Sequence, residues 1–149
     1  MMPLSSYPLL PLLRIQSLLL SEPIYASEQT VSDLFSAIQS LALHWKGMQE
    51  VYPKGHPSVG IVLAELGKLL NAESGNTDDS GSGKSLQKKE DIVIQLPVDV
   101  TGRMGVARET LVKALAELRI GFGRSGGLVG KELEYLVEGI SREMTANRL

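Results

Sequence analysis

The sequence predicts an all-α fold of antiparallel helix hairpins carrying one long flexible insertion, and three observations carry that expectation. Val31, Leu34, Phe35, Ile38, Leu41, Ala42, Trp45 and Met48 recur at three- and four-residue steps, which is one face of an amphipathic helix. Val59, Val62, Leu63, Leu66, Leu69 and Leu70 resume the pattern after the short break Tyr52-Pro53-Lys54-Gly55-His56-Pro57. A second, glycine-rich break from Gly121 to Gly127 separates two further helical stripes. Helices joined by so short a turn must lie side by side as αα-hairpins.

Five helices are expected in one domain spanning residues 1–149. The first covers about 8–21, holds Leu9, Leu10, Leu12, Leu13, Ile15, Leu18, Leu19 and Leu20, and is stopped by Pro23. It does not read as a signal peptide, because no basic residue precedes the apolar run and Pro11 and Arg14 interrupt it. It is also too short and broken to span a bilayer. An apolar helix beginning at the initiating methionine reads as a piece of something longer, with leucines that lack a partner and promote self-association.

The second helix spans about 27–50. Ser27 is one N-cap, and Thr30 with Asp33, resembling a capping box, is another. Pro53 and Gly55 end that helix, and Pro57 suits the first position of the third, about 57–72. The fourth, about 106–120, places Leu111, Leu115, Leu118 and then Phe122 on one stripe, with Glu109 four residues before Lys113. The fifth, about 128–145, places Val129, Leu133, Leu136, Val137, Ile140 and Met144 on one face, with Glu138 and Arg142 paired outside.

Residues 74–105 are the expected flexible insertion. Ser74 to Glu90 holds glycine, serine and mixed charge without apolar anchors, so it cannot repay the entropy of ordering. Ile92-Val93-Ile94-Gln95-Leu96 is a short β-prone run closed by Pro97. No strict internal repeat shows: Leu63-Ala64-Glu65-Leu66 recurs as Leu115-Ala116-Glu117-Leu118, which four common helix formers do by chance. Helix-turn-helix units nevertheless follow one another, as in a helical repeat stack.

Composition narrows the function classes. A net charge of −2 and a pI near 5.7 leave no basic footprint for nucleic acid. The chain has no cysteine, which removes disulfides, thiolate catalysis and cysteine-ligated zinc, and fits an intracellular protein of cytoplasm or nucleus. Two histidines, His44 and His56, argue against a histidine-based metal site. Gly81-Ser82-Gly83-Lys84-Ser85 resembles the end of a P-loop, but Asp78 stands where the first glycine belongs and no strand precedes it. Gly121-Phe122-Gly123-Arg124-Ser125-Gly126 has three glycines at dinucleotide-fold spacing, yet follows a helical stripe rather than a strand.

His56 is expected as an N-cap or packing residue, and Trp45 as core. No residue is singled out as catalytic, cofactor-binding or metal-binding. The turn residues Tyr52, Pro53, His56, Pro57, Gly121, Gly123 and Gly126 are the candidates for a structural or interaction role.

Val51-Tyr52-Pro53-Lys54-Gly55-His56-Pro57, followed by Val62-Leu63-Ala64-Glu65-Leu66-Gly67-Lys68-Leu69-Leu70, resembles the junction between tetratricopeptide-type repeats. More closely, it resembles the C-terminal helical region of fungal proteins related to the SET and MYND domain lysine methyltransferases. Ala114-Leu115, the run Leu118-Arg119-Ile120-Gly121-Phe122-Gly123, and Gly126, Gly127 and Gly130 are similar to the last helices of that group. The resemblance covers about residues 24–144. It implies a helical domain that packs beside a catalytic domain and walls its substrate cleft. The family's Asn-His-Ser-Cys-type motif, its Gly-Glu-Glu motif and its zinc cysteines have no counterpart here, so the resemblance carries over no cofactor and no zinc residue. It implies either a detached C-terminal domain whose partner is the missing SET domain, or a free-standing adaptor that holds a peptide or protein in a tetratricopeptide-like groove.

Overall fold

The computed structural model describes residues 11, 12, 14, 15, 31–75, 97 and 99–146. Among these the chain is all-α, with helices α1 (Val31–Val51), α2 (Pro57–Gly75), α3 (Val100–Phe122) and α4 (Gly127–Ala146). Residues 11, 12, 14 and 15 are also helical. The rest of the expected first helix, the expected caps Ser27 and Thr30, and residues 76–96 and 98 of the expected insertion lie outside the described residues. No described helix is long and apolar enough to cross a membrane.

Consecutive helices pack on one another, and α2 with α3 make the most extensive contact. The apolar stripe of α1 turns inward: Leu34, Ile38, Leu41, Ala42 and Met48 are buried, and Trp45 packs half-buried against them. Helix α2 is apolar almost all round. Val59, Val62, Leu63, Leu66, Leu69 and Leu70 are all buried, so it forms the centre of the core.

Its contact with α3 depends on small residues. A side chain at Gly60 would meet Leu118 Cγ and Cδ2 at 2.9 Å, and one at Gly67 would meet Leu111 Cδ2 at 2.6 Å and Cγ at 2.7 Å. Those pairs run in opposite directions, Gly60 to Leu118 and Gly67 to Leu111, so α2 and α3 are antiparallel. Ala107, Leu111, Ala114 and Leu118 of α3 are fully buried. Two glycines one heptad apart thus let the two backbones approach closely, with leucines filling the space where their side chains would stand.

Helix α3 then packs on α4, again antiparallel. Arg119 Nη2 bonds Glu134 Oε1 at 2.7 Å, and Arg108 Nε donates to Ser141 Oγ at 2.8 Å. Leu133 and Ile140 are buried, with Val129, Leu136, Val137 and Met144 packed against them. The Glu138–Arg142 pair forms at 3.3 Å. Glu109 and Lys113, placed to pair in the same way, are both exposed and form no such pair among the described residues.

Several boundaries and placements differ from the sequence reading. Helix α2 runs to Gly75 rather than Ala72, so residues 74 and 75 are helix and not insertion. Helix α3 begins at Val100 rather than Val106, so residues 100–105 are helix and not insertion. The cause is an N-cap: Asp99 Oδ2 accepts from the Gly102 N–H at 2.7 Å, while its carbonyl accepts from Arg103 N–H at 3.1 Å. Phe122 is not on the core stripe. It is the last residue of α3 and 51% exposed.

The described helices also contain a repeat. The turn Pro53 to Pro57 and the turn Gly123 to Gly127 stand seventy residues apart and share their backbone bonds. His56 N–H donates to Pro53 O at 3.1 Å, as Gly126 N–H does to Gly123 O at 2.8 Å. Gly60 N–H donates to His56 O at 3.4 Å, as Gly130 N–H does to Gly126 O at 3.1 Å. The same shift carries Val59 and Gly60 onto Val129 and Gly130, Leu63 onto Leu133, Leu66 onto Leu136, and Leu70 onto Ile140. The two turns, and the apolar positions that follow them, therefore match at this spacing. The Leu-Ala-Glu-Leu recurrence is a different matter, since it links α2 with α3, which oppose each other.

Candidate functional site

The first turn is the best-anchored surface feature. Gly55 sits at its apex with φ +82°, a left-handed conformation that glycine adopts without penalty. Its N–H donates to Glu117 Oε2 at 2.6 Å, so the turn is tied to α3, sixty-two residues away. Ile120 and Gly121 close the contact. A side chain on Gly121 would come within 2.6 Å of the Gly55 carbonyl and 2.9 Å of Pro57 Cγ.

His56 precedes Pro57, the first residue of α2, and its Nδ1 accepts from the Ser58 N–H at 3.3 Å. That is an N-cap: one of the four amide hydrogens left over at a helix start gains an acceptor. Accepting at Nδ1 requires that nitrogen to be unprotonated. Tyr52 stacks on the His56 ring with centroids 4.4 Å apart and planes 26° from parallel. Beside the turn lies a shallow depression of about 250 Å³ lined by Gln49, Tyr52, Pro53, Lys54, Val59 and Glu117. Its one carboxylate, that of Glu117, is already engaged with the Gly55 N–H.

Of the turn residues singled out by sequence, Tyr52, Pro53, His56, Pro57 and Gly121 are brought together here. Gly123 and Gly126 lie in the second turn, where Gly123 is exposed and Gly126 is buried against Leu115 and Leu118. Sequence reasoning missed Glu117 and Ile120, whose role depends on α3 ending against this turn. It also missed the outward face of α4, where Leu128 is 86% exposed and Tyr135 80%.

Salt bridges link the helices across the surface. Arg14 forks onto both carboxylate oxygens of Glu65, with Nη2 to Oε1 at 2.8 Å, and Lys68 Nζ reaches Glu132 Oε1 at 2.7 Å. Glu65 and Lys68 are three residues apart and neighbours on one face of α2, so Arg14 and α4 both meet that face. Among the described residues no three histidine, cysteine, aspartate or glutamate side chains gather as a metal site. No protein-family model, curated protein or solved structure matches this chain.

Proposed function

We propose that this chain is a non-catalytic helical interaction domain, the tetratricopeptide-like C-terminal region of a fungal SET-domain methyltransferase-like protein. The observation that supports it most is the recurrence of one helix-turn-helix unit, with the same backbone bonds seventy residues on. Repeats that pack on their neighbours make extended surfaces for other polypeptides. The Tyr-Pro and His-Pro turn, and the leucine spacing behind it, connect that architecture to the SET-related proteins in particular.

In this reading α2 and α3 form one complete repeat with the insertion between its two helices. Helix α1 is the second helix of the preceding repeat, and α4 the first helix of the next. The turns are then junctions between repeats, and Tyr52, His56 and Gly121 are structural residues.

Calorimetric titration with S-adenosylmethionine tests the reading. The full chain is expected to show no heat of binding, because the family's cofactor pocket belongs to its SET part. Saturable micromolar binding would overturn the assignment. SET motifs encoded upstream of Met1 in the gene would support a domain of a larger enzyme over a free-standing adaptor.

A further inference from the structure

We infer that the end of the molecule where the two turns meet is a self-complementary surface on which two copies of this chain pair about a two-fold axis. The pairing goes beyond the family reading above, and its failure would leave that reading standing.

Both turns lie at the same end, since a side chain on Gly121, near the end of α3, would come within 2.6 Å of the Gly55 carbonyl and 2.9 Å of Pro57 Cγ. Each turn holds a left-handed glycine with a side chain from the last turn of α3 against it. Ile120 lies over Gly55, and Phe122 over Gly127, where an added side chain would start 3.8 Å from the ring. Both stay more than half exposed. Val51 and Tyr52 lead into the first turn, and Leu128 follows the second. Five of the nine large hydrophobic residues exposed among the described ones therefore gather at this one end. Scattered exposed apolar residues are ordinary, whereas a strip that joins two turns marks an interaction surface.

The charges around the strip select its partner. Glu50 and Glu117 stand there with Lys54 and Arg124, two carboxylates with two bases, while Lys46 and Lys131 are about a turn further back. Arg119 is matched by Glu134, and Glu117 accepts from the Gly55 N–H. Glu50, Lys54 and Arg124 form no ion pair among the described residues. An end so balanced exerts little field to gather nucleic acid or an anionic bilayer, and two copies of it do not repel. Turned about a two-fold axis, the strip of one copy covers that of the other, and Glu50 of each complements the unpaired bases of its partner. The size fits as well. The five side chains leave roughly 500 Å² exposed per copy, so a pair buries about 1,000 Å², the low end of specific interfaces and suited to a weak dimer.

Sedimentation equilibrium of the full chain across a range of concentrations tests this. The mean mass is expected to rise from 16.1 kDa towards twice that value, with dissociation in the micromolar range. Phe122→Ser with Leu128→Ser should weaken pairing by ~10-fold or more. Glu50→Lys leaves the unpaired exposed charges beside the strip all basic, and Lys54→Glu with Arg124→Glu leaves them all acidic. Each of these variants alone should pair at least ~10-fold more weakly, and mixing the two should restore a pair. Circular dichroism melting accompanies every variant and should be unaltered, because all the substituted residues are exposed.

A wild type that stays at 16.1 kDa throughout overturns the inference. So does a mass that climbs past two copies, which a closed two-fold pair forbids. Pairing that survives Phe122→Ser with Leu128→Ser but is lost in Leu12→Ser with Ile15→Ser would belong to the residues around Arg14 and overturn it too. If the serine variant is monomeric yet the mixed charge variants do not pair, the contact is apolar alone and the two-fold charge matching is wrong.

Discussion

Gly67→Ala probes the closest helix contact in the molecule, and two opposing effects decide its sign. Alanine is the better helix former, by ~1 kcal/mol in a helix interior. Against that, the new methyl would stand 2.6 Å from Leu111 Cδ2, 2.7 Å from Leu111 Cγ and 3.3 Å from its backbone nitrogen. Moving Cγ means moving the whole leucine, and Leu111 is 0% exposed, so it has no space to move into. The helices must part instead, and overpacking of that kind costs ~1–3 kcal/mol, here at the upper end. The net loss is therefore about 2 kcal/mol, a fall of roughly 6 °C in melting temperature for a chain of this size. Gly139→Ala is the matched control. It lies in α4 with nothing within 4 Å of the added methyl, so only the propensity gain remains and the melting temperature should rise by ~3 °C. Thermal denaturation followed at the helical circular dichroism band reads both. Adding Leu111→Val to Gly67→Ala should recover part of the loss, a coupling that a double-mutant cycle isolates. If Gly67→Ala melts at or above the wild type, the close α2–α3 approach is wrong.

The first turn yields three further predictions, all read by urea denaturation. Gly55→Ala combines a left-handed conformation, costing ~1–2 kcal/mol for a residue with a side chain, with overlap against Ile120 Cγ2, so a loss of ~3 kcal/mol is expected. Glu117→Ala removes only the acceptor and should cost ~1–2 kcal/mol, largely restored by glutamine; an unchanged midpoint would mean the turn is not tied to α3. His56→Ala should cost ~1 kcal/mol through loss of the α2 cap, and His56→Asn should retain most of it. Equal losses for alanine and asparagine would assign the effect to the Tyr52 stack instead.

Much of this architecture was legible from apolar spacing. Leu34, Ile38 and Leu41 of α1, Leu63, Leu66 and Leu70 of α2, and Leu133 and Ile140 of α4 fall on the stripes the sequence displays, because burial of one face is what the helical period encodes. The start of α3 was hidden by composition. Gly102 and Gly105 look like linker residues, yet the Asp99 cap and the partly buried Val100 are enough to carry the helix through them. Gly60 and Gly67 were invisible for a related reason. A stripe search counts large apolar residues, and a close helix contact is made by their absence.

The repeat was the least legible feature, and the dihedrals explain why. The two turns make the same hydrogen bonds along different backbone paths: the first has two prolines and one positive-φ glycine, the second positive φ at Gly123, Gly126 and Gly127. Matching positions within the turns therefore demand unlike residues, so the correspondence shows only in the helices that follow, at Val59-Gly60 with Val129-Gly130 and at Leu63 with Leu133. Gly123 gives the sharpest test. Its φ of +86° and ψ of −172° belong to a region essentially confined to glycine, and nothing stands within 4 Å of where a side chain would start. Gly123→Ala should therefore cost ~1–3 kcal/mol from backbone strain alone, with no steric contribution. Gly123→Pro should cost at least as much, even though Pro53 is its counterpart in the first unit, because proline fixes φ near −65°. Both are read by thermal denaturation beside Gly139→Ala, which has the same open space and no strain. Should Gly123→Ala prove as harmless as Gly139→Ala, the two turns follow the same path, and their divergence in sequence would need another cause.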